Sequence, residues 1–225
     1  MIRFIIPLIT ILFLVPPIMA GAAMPGYSVV AQSEEDDITL YGKEMNGLYF
    51  DFKVDFKGDV FSRPFWINVT NPAYAPQLYF QDINKDKMNE LIIILTRGYG
   101  TGVLDQEVYV FHLGNKRFKE VLVDSPLAIV NKNIRTSLTP SKAEISIGNK
   151  HYSFNIKELK LLPETLFEEI SLGSIINYEV KDDKLTATLH PQLSPGAFVG
   201  NIIITYEFQD NMYQAEKIEF KLENE

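Results

Sequence analysis

Apolar and polar residues alternate with a period of two through most of this chain, and short turn signals interrupt them at hairpin spacing. Over residues 48–56 (LYFDFKVDF) the second half places Phe, Val and Phe on one face and Lys and Asp on the other, ahead of Lys57-Gly58-Asp59. A side-chain period of two fits a half-buried strand and no amphipathic helix. The same grammar recurs around Gly114-Asn115-Lys116 and Gly148-Asn149-Lys150, then in NYEV-KDDK-LTATL (177–189) and NIIITYEFQ-DN-MYQAEKIEF (201–220). Gly, Asn and Asp tolerate the positive φ that a two-residue hairpin turn demands, so each pair of runs reads as a hairpin. The flanking sequences align at no fixed period, which sets these apart from a true repeat.

These patterns predict a mainly β fold of antiparallel, hairpin-rich sheets, arranged as a sandwich or as propeller-like blades. At most one short helix is expected, within 157–171 and starting with Pro163 in its first turn, where the fixed φ of proline is tolerated. The weak periodicity of 156–173 makes that stretch the candidate boundary between two β sub-domains. Otherwise 32–225 reads as one domain, with enough residues for a core of its own.

The first 31 residues read differently. Arg3, an apolar run over residues 4–19 and the small residues AGAAMPG, with no acid before Glu34, form the pattern of a secretory signal peptide. Pro7, Pro16 and Pro17 interrupt the run, which is short for a membrane span of about 20 residues. Small-residue cleavage zones end near residue 22 and near residue 31, and an uncleaved N-terminal anchor is the alternative. The mature form is expected outside the cell or in its envelope, without a membrane span.

The chain has no cysteine, so an exported form depends on its core, with or without a metal, rather than on disulfides. Removing the leader takes the net charge from −8 to −9, because those residues hold one Arg and no acid. Lysines are interspersed with acids instead of forming a patch, which argues against a nucleic-acid partner.

The one local chemical signal is QDINKDKMNELIIIL, residues 81–95. Asp82, Asn84, Asp86, Met88 and Glu90 occupy positions 1, 3, 5, 7 and 9 of a nonapeptide that runs directly into an apolar strand. Calcium takes six to eight oxygens from carboxylates, amides, backbone carbonyls and water. A tight loop can present them at odd positions, the Met88 backbone carbonyl standing in for a side chain. A solvated Asp/Asn turn is the other reading. An EF-hand fits poorly, because Lys87 and Ile93 stand where that loop has Gly and Glu.

D-x-N-x-D-x-x-x-E-L, with the strand and Gly-rich turn after it, resembles the calcium loops of FG-GAP and VCBS-type repeats. These occur in integrin-like propeller blades and in many exported bacterial proteins. The resemblance implies Asp82, Asn84, Asp86 and Glu90 as side-chain ligands. Such loops usually carry Gly at positions 4 and 6, where this chain has Lys85 and Lys87. Left-handed geometry at a lysine costs about 1 kcal/mol.

Other motifs carry less. Arg97-Gly98-Tyr99-Gly100-Thr101-Gly102 leads toward another strand rather than a helix, so it reads as a β-loop and no phosphate cradle; its glycines are expected to form a wall near the 82–90 loop. His112, His151 and His190 are separated in sequence from one another and from any catalytic motif. Asn68-Val69-Thr70 matches a glycosylation sequon, and Phe65, Trp66, Tyr74 and Tyr79 form an aromatic group around NPAYAP, as core or as a sugar platform. Two functions follow as expectations. One is a non-catalytic, calcium-stabilised module binding envelope or extracellular material. The other is a secreted hydrolase using two carboxylates in the manner of a glycosidase.

Overall fold

The computed structural model describes residues 24–114 and 117–222. Most of the leader, residues 1–23, lies outside the described residues. The first layer is an antiparallel meander of β1 (Ser28–Ser33), β2 (Ile38–Met45), β3 (Leu48–Phe56) and β4 (Asp59–Val69), in that spatial order. Its β3–β4 turn is the expected one: Phe56 pairs with Asp59, and Lys57 and Gly58 both have positive φ.

A 3₁₀ turn at Pro72–Tyr74 leads to β5 (Gln77–Gln81), β6 (Glu90–Gly100), β7 (Val103–Gly114) and β8 (Arg117–Val123). Helix α1 (Pro126–Asn133) then precedes a three-stranded sheet of β9 (Ile134–Leu138), β10 (Lys142–Ile147) and β11 (Lys150–Asn155). The remaining strands are β12 (Ile175–Lys181), β13 (Lys184–Leu189), the short pair β14 (Gln192–Ser194) and β15 (Ala197–Phe198), then β16 (Asn201–Gln209) and β17 (Met212–Lys221).

Strands β12, β13, β16, β17, β8 and β7 form a ring, because β7 pairs back to β12, and β6 and β5 continue the sheet beyond β7. The ring therefore closes as a barrel, and its sheets do not splay as propeller blades. Three hairpins and the antiparallel β13–β16 pair make up most of the ring, whereas two short parallel contacts close the circle: Ile175 and Ile176 of β12 beside Leu104 and Asp105 of β7, and Met212 and Tyr213 of β17 beside Leu122 and Val123 of β8. Gln106, buried, continues the first contact with its side chain by accepting from the Tyr178 N–H at 2.8 Å.

The apolar run of β6 explains the layering. Leu91, Ile93 and Leu95 pack with Phe52, Val54 and Trp66 of the meander, and Ile92 and Ile94 face the barrel core with Val110, Ile202 and Ile204. A strand buried on both faces has no polar side, so its alternation is lost. β6 is the wall shared by two cores.

Elements before and after 156–173 share the barrel core: Ala143, Ile145 and Ile156 lie in one cluster with Ile170, Ile176, Leu189 and Ile204. Tyr152 of β11 also packs on Phe220 of β17, with ring centroids 4.7 Å apart. The helix lies ahead of the expected 157–171 stretch. Pro163 opens only a 3₁₀ turn, Pro163–Thr165, and the one α-helix among the described residues is α1. Pro126 occupies its first turn, and Ile129 and Val130 are buried in the barrel core. Two adjacent β-branched residues in an eight-residue segment carry little helical signal, and burial overrides that weak propensity.

Candidate metal centre

The 82–90 loop bridges β5 and β6, and its backbone is organised by its own side chains. Asp82 accepts from the N–H of Lys85 through Oδ1 at 2.6 Å and from that of Lys87 through Oδ2 at 2.9 Å. Asn84 Oδ1 accepts from the Asp86 N–H, and Asp86 Oδ1 from the Met88 N–H, both at 2.8 Å. Each is the short Asx contact that favours these residues in turns. Lys85 and Lys87 have φ of 66° and 72°, the left-handed geometry for which glycine is the usual choice.

Glu90 turns back under the loop. Its Oε2 accepts from the Ile83 N–H at 2.9 Å, and its Oε1 from Asn84 Nδ2 at 3.1 Å; the same amide nitrogen donates to Asp86 Oδ2 at 3.2 Å. Asp86 Oδ2 and Glu90 Oε1 thus converge on one donor, the Asn84 Nδ2, while the Asn84 oxygen is turned to the Asp86 N–H. Asp82 is not drawn to that donor, since both of its oxygens serve the backbone. Met88 contributes its N–H to Asp86, and its side chain is exposed. Among the described residues no three His, Cys, Asp or Glu side chains are grouped as a ready-made metal cage.

Glu90 is only 1% exposed. Burial first, then the charges of Asp86 and Asp82, push its carboxyl up to about 7, against the pull of the Ile83 N–H. His112 Nε2 lies 4.0 Å from Glu90 Oε1 and 3.1 Å from the Tyr213 hydroxyl. Burial lowers the His112 pKa from its ordinary value, so the ring is a poor counter-charge at neutral pH. His112 and Tyr213 are therefore part of the site's floor, and sequence spacing does not reveal them: 101 residues separate the two.

No family model, curated protein or solved structure matches this chain.

The remaining motifs fall elsewhere. Of the expected 97–102 loop, residues 97–100 are the last of β6 and only Thr101-Gly102 turn into β7, roughly 25–35 Å from the 82–90 loop at strand rise, so its glycines do not wall the candidate site. The aromatic group disperses. Trp66 is buried and stacks on Tyr109 at 4.2 Å, Tyr74 stacks on Tyr99 at 4.4 Å, Tyr79 packs on the barrel core, and Phe65 is 92% exposed. A shared sugar platform is not formed. The sequon residue Asn68 is 0% exposed, with its amide committed on both sides, so it is not presented for glycosylation.

His190 lies edge-on to Phe198, and His151 joins Ser146 (2.9 Å) and Glu144 (3.2 Å) across the β10–β11 hairpin. That trio has the residue types of a hydrolytic triad. Its setting does not suit the chemistry: His151 is exposed, Lys142 already pairs with Glu144 at 2.5 Å, and charges in bulk water are screened where an active site needs them desolvated.

Proposed function

We propose that this is an exported, non-catalytic β module that takes one calcium ion at Asp86 and Glu90, with the Met88 carbonyl and with Asn84 turning its amide oxygen to the ion, while Asp82 holds the loop, and that it acts by contact with envelope or extracellular material. The observation that carries the reading is the convergence of Asp86 and Glu90 oxygens on the Asn84 amide nitrogen, one carboxylate being buried without a strong counter-charge. Positive φ at Lys85 and Lys87 supports it too, because these are the two positions where the resembling loops carry glycine. When bound, calcium supplies the positive charge that this carboxylate pair lacks. The chain's own part is to hold the loop closed through Asp82, to keep Asp86 exposed to solvent for cation entry, and to seat Glu90 on the Ile83 N–H.

Calorimetric titration and thermal melting test this. A dissociation constant on the order of 10⁻⁴ M is expected, as in extracellular modules. At about 1 mM calcium the fold then gains about 1.4 kcal/mol by mass action. Asp86→Ala should remove the gain. A wild-type melting temperature unmoved by calcium would leave the loop as a hydrogen-bonded turn.

Export is tested by the N-terminus of the mature chain. Cleavage near residue 31 would remove most of β1, including the Val29–Tyr41 and Ala31–Leu40 pairs, and the Tyr27 hydroxyl bond to Asp51 at 2.8 Å. Mass analysis of secreted protein should therefore find an N-terminus between residues 21 and 26. Full-length chain recovered only in membranes would favour an anchor.

A further inference from the structure

A second feature, separate from the cation loop, lies where the β3–β4 and β7–β8 hairpins meet. A cavity of about 550 Å³ opens there, walled by Phe56, Phe61, Leu113 and Phe118, with Lys57 and Arg63 among its lining residues. The rings are packed against one another: Phe56 meets Phe118 edge-on at 4.6 Å, and Phe61 lies 5.9 Å from Phe118. Their faces already carry cations. Lys57 Nζ stands 4.9 Å from the centre of Phe56 and 5.4 Å from that of Phe80, and the Arg63 guanidinium 4.8 Å from Phe61 and 5.0 Å from Phe111.

An aromatic box can take a cationic guest on the faces of its rings. Here those faces are occupied by the protein's own positive groups, which would repel one. Arg63 is ion-paired with Glu120 at 3.2 Å, but among the described residues no carboxylate lies within ion-pair distance of Lys57. In a chain of net charge −8, an unpaired ammonium at the mouth of an apolar cavity is a local anion-seeking point. Asp59, exposed beside the turn, is the one acid among the described lining residues, and its charge opposes a second negative charge on any head group.

We propose that this cavity binds a small amphipathic acid, a free carboxylate with an acyl or aryl body of roughly ten carbons, matched to a pocket of this size. The body replaces water against the phenylalanine walls, and the carboxylate meets Lys57. Apolar burial supplies affinity and the Lys57 ammonium supplies the preference for charge.

Decanoate, decanol and decyltrimethylammonium, each below its micellar range, provide the test by calorimetry and by amide shifts in NMR spectra. Decanoate should saturate one site with a dissociation constant on the order of 10⁻⁵ to 10⁻⁴ M, shifting residues of the two hairpins. Decanol should bind about tenfold more weakly without its ion pair, and the cation should not bind. Lys57→Asn, which suits the positive φ there, should weaken decanoate about tenfold. Leu113→Trp should block it by filling the cavity, and Asp86→Ala should leave it unchanged. Equal binding of acid and alcohol, indifference to Lys57→Asn or Leu113→Trp, or no saturation below about 1 mM would overturn the proposal. Co-sedimentation with phosphatidylglycerol vesicles without binding of free decanoate would also overturn it, since the recognised anion would then belong to a bilayer.

Discussion

In a chelating buffer at pH 8, Glu90→Gln is expected to be more stable than the wild type by about 2–3 kcal/mol, and to have lost all response to calcium. The folded protein holds the Glu90 proton up to about pH 7, whereas an unburied carboxyl releases it near 4.5. A group whose folded pKa is raised contributes stability that is full below the unfolded value and is lost as pH rises through the folded one. The wild type should therefore weaken, relative to Glu90→Gln, between about pH 4.5 and 7 and stay weakened above. Glutamine keeps the size of the protonated acid and an oxygen for the Ile83 N–H, so it retains the neutral form at every pH.

Calcium at about 1 mM should offset about half of the wild-type loss, because an ion on the ionised carboxylate would add about 1.4 kcal/mol, a benefit that grows as pH passes 7. Urea melts of both proteins at pH 5, 6, 7 and 8, with chelator or with about 1 mM calcium, separate this effect from every carboxylate the two proteins share. At about 2–4 °C per kcal/mol for a domain of this size, the pH 8 difference is roughly 5–10 °C in melting temperature. A destabilised Glu90→Gln, with the same pH profile as the wild type, would show that Glu90 is ionised and satisfied without a cation.

Asn68→Ala is expected to cost about 3–4 kcal/mol, the larger of the two effects. The buried amide donates to the carbonyls of Val69 at 2.7 Å and Tyr74 at 3.0 Å, and its oxygen accepts from the Thr96 N–H at 2.7 Å. Thr96 stands where the pairing of β6 with β7 shifts register, between Thr96 and Gly98. One side chain thus ties the end of β4 and the following 3₁₀ turn to the shared wall between the cores. Alanine leaves that N–H unpaired in a dry interior and opens a void beside it. Asn68→Asp should be no better at neutral pH, since it keeps an acceptor for Thr96 but sets a buried negative charge against two carbonyl oxygens. Chemical denaturation measures both, and a loss below about 1 kcal/mol would show that water or a backbone shift replaces the amide. Expression in a glycosylating host should yield folded protein bearing no glycan at Asn68.

Much of the local structure is legible from residue order. Asp182 and Asp183, Asp210 and Asn211, and Gly148 all adopt the positive φ that their hairpin positions require, because turn geometry depends on a few adjacent residues. The odd-numbered oxygens of 82–90 and the strained Lys85 and Lys87 are equally local, and the loop forms where its spacing places it. What residue order leaves open involves partners far apart along the chain. Whether LIIIL is covered on one face or two depends on a meander from 28–69 and on strands as late as β16 and β17. The parallel contacts that close the barrel, β7 with β12 and β8 with β17, join segments by a few residues each, too few to leave a pattern.

The sequence by itself determined a β fold, its hairpins and a loop lined with oxygens, because alternation, positive φ and Asx turns act over two to nine residues. Tertiary structure alone decided that the ring closes, that β6 serves two cores, and that Glu90 lies dry beside His112 and Tyr213. Desolvation follows from the whole packing around a group, so no spacing of residues along the chain encodes the raised Glu90 pKa on which the candidate site depends.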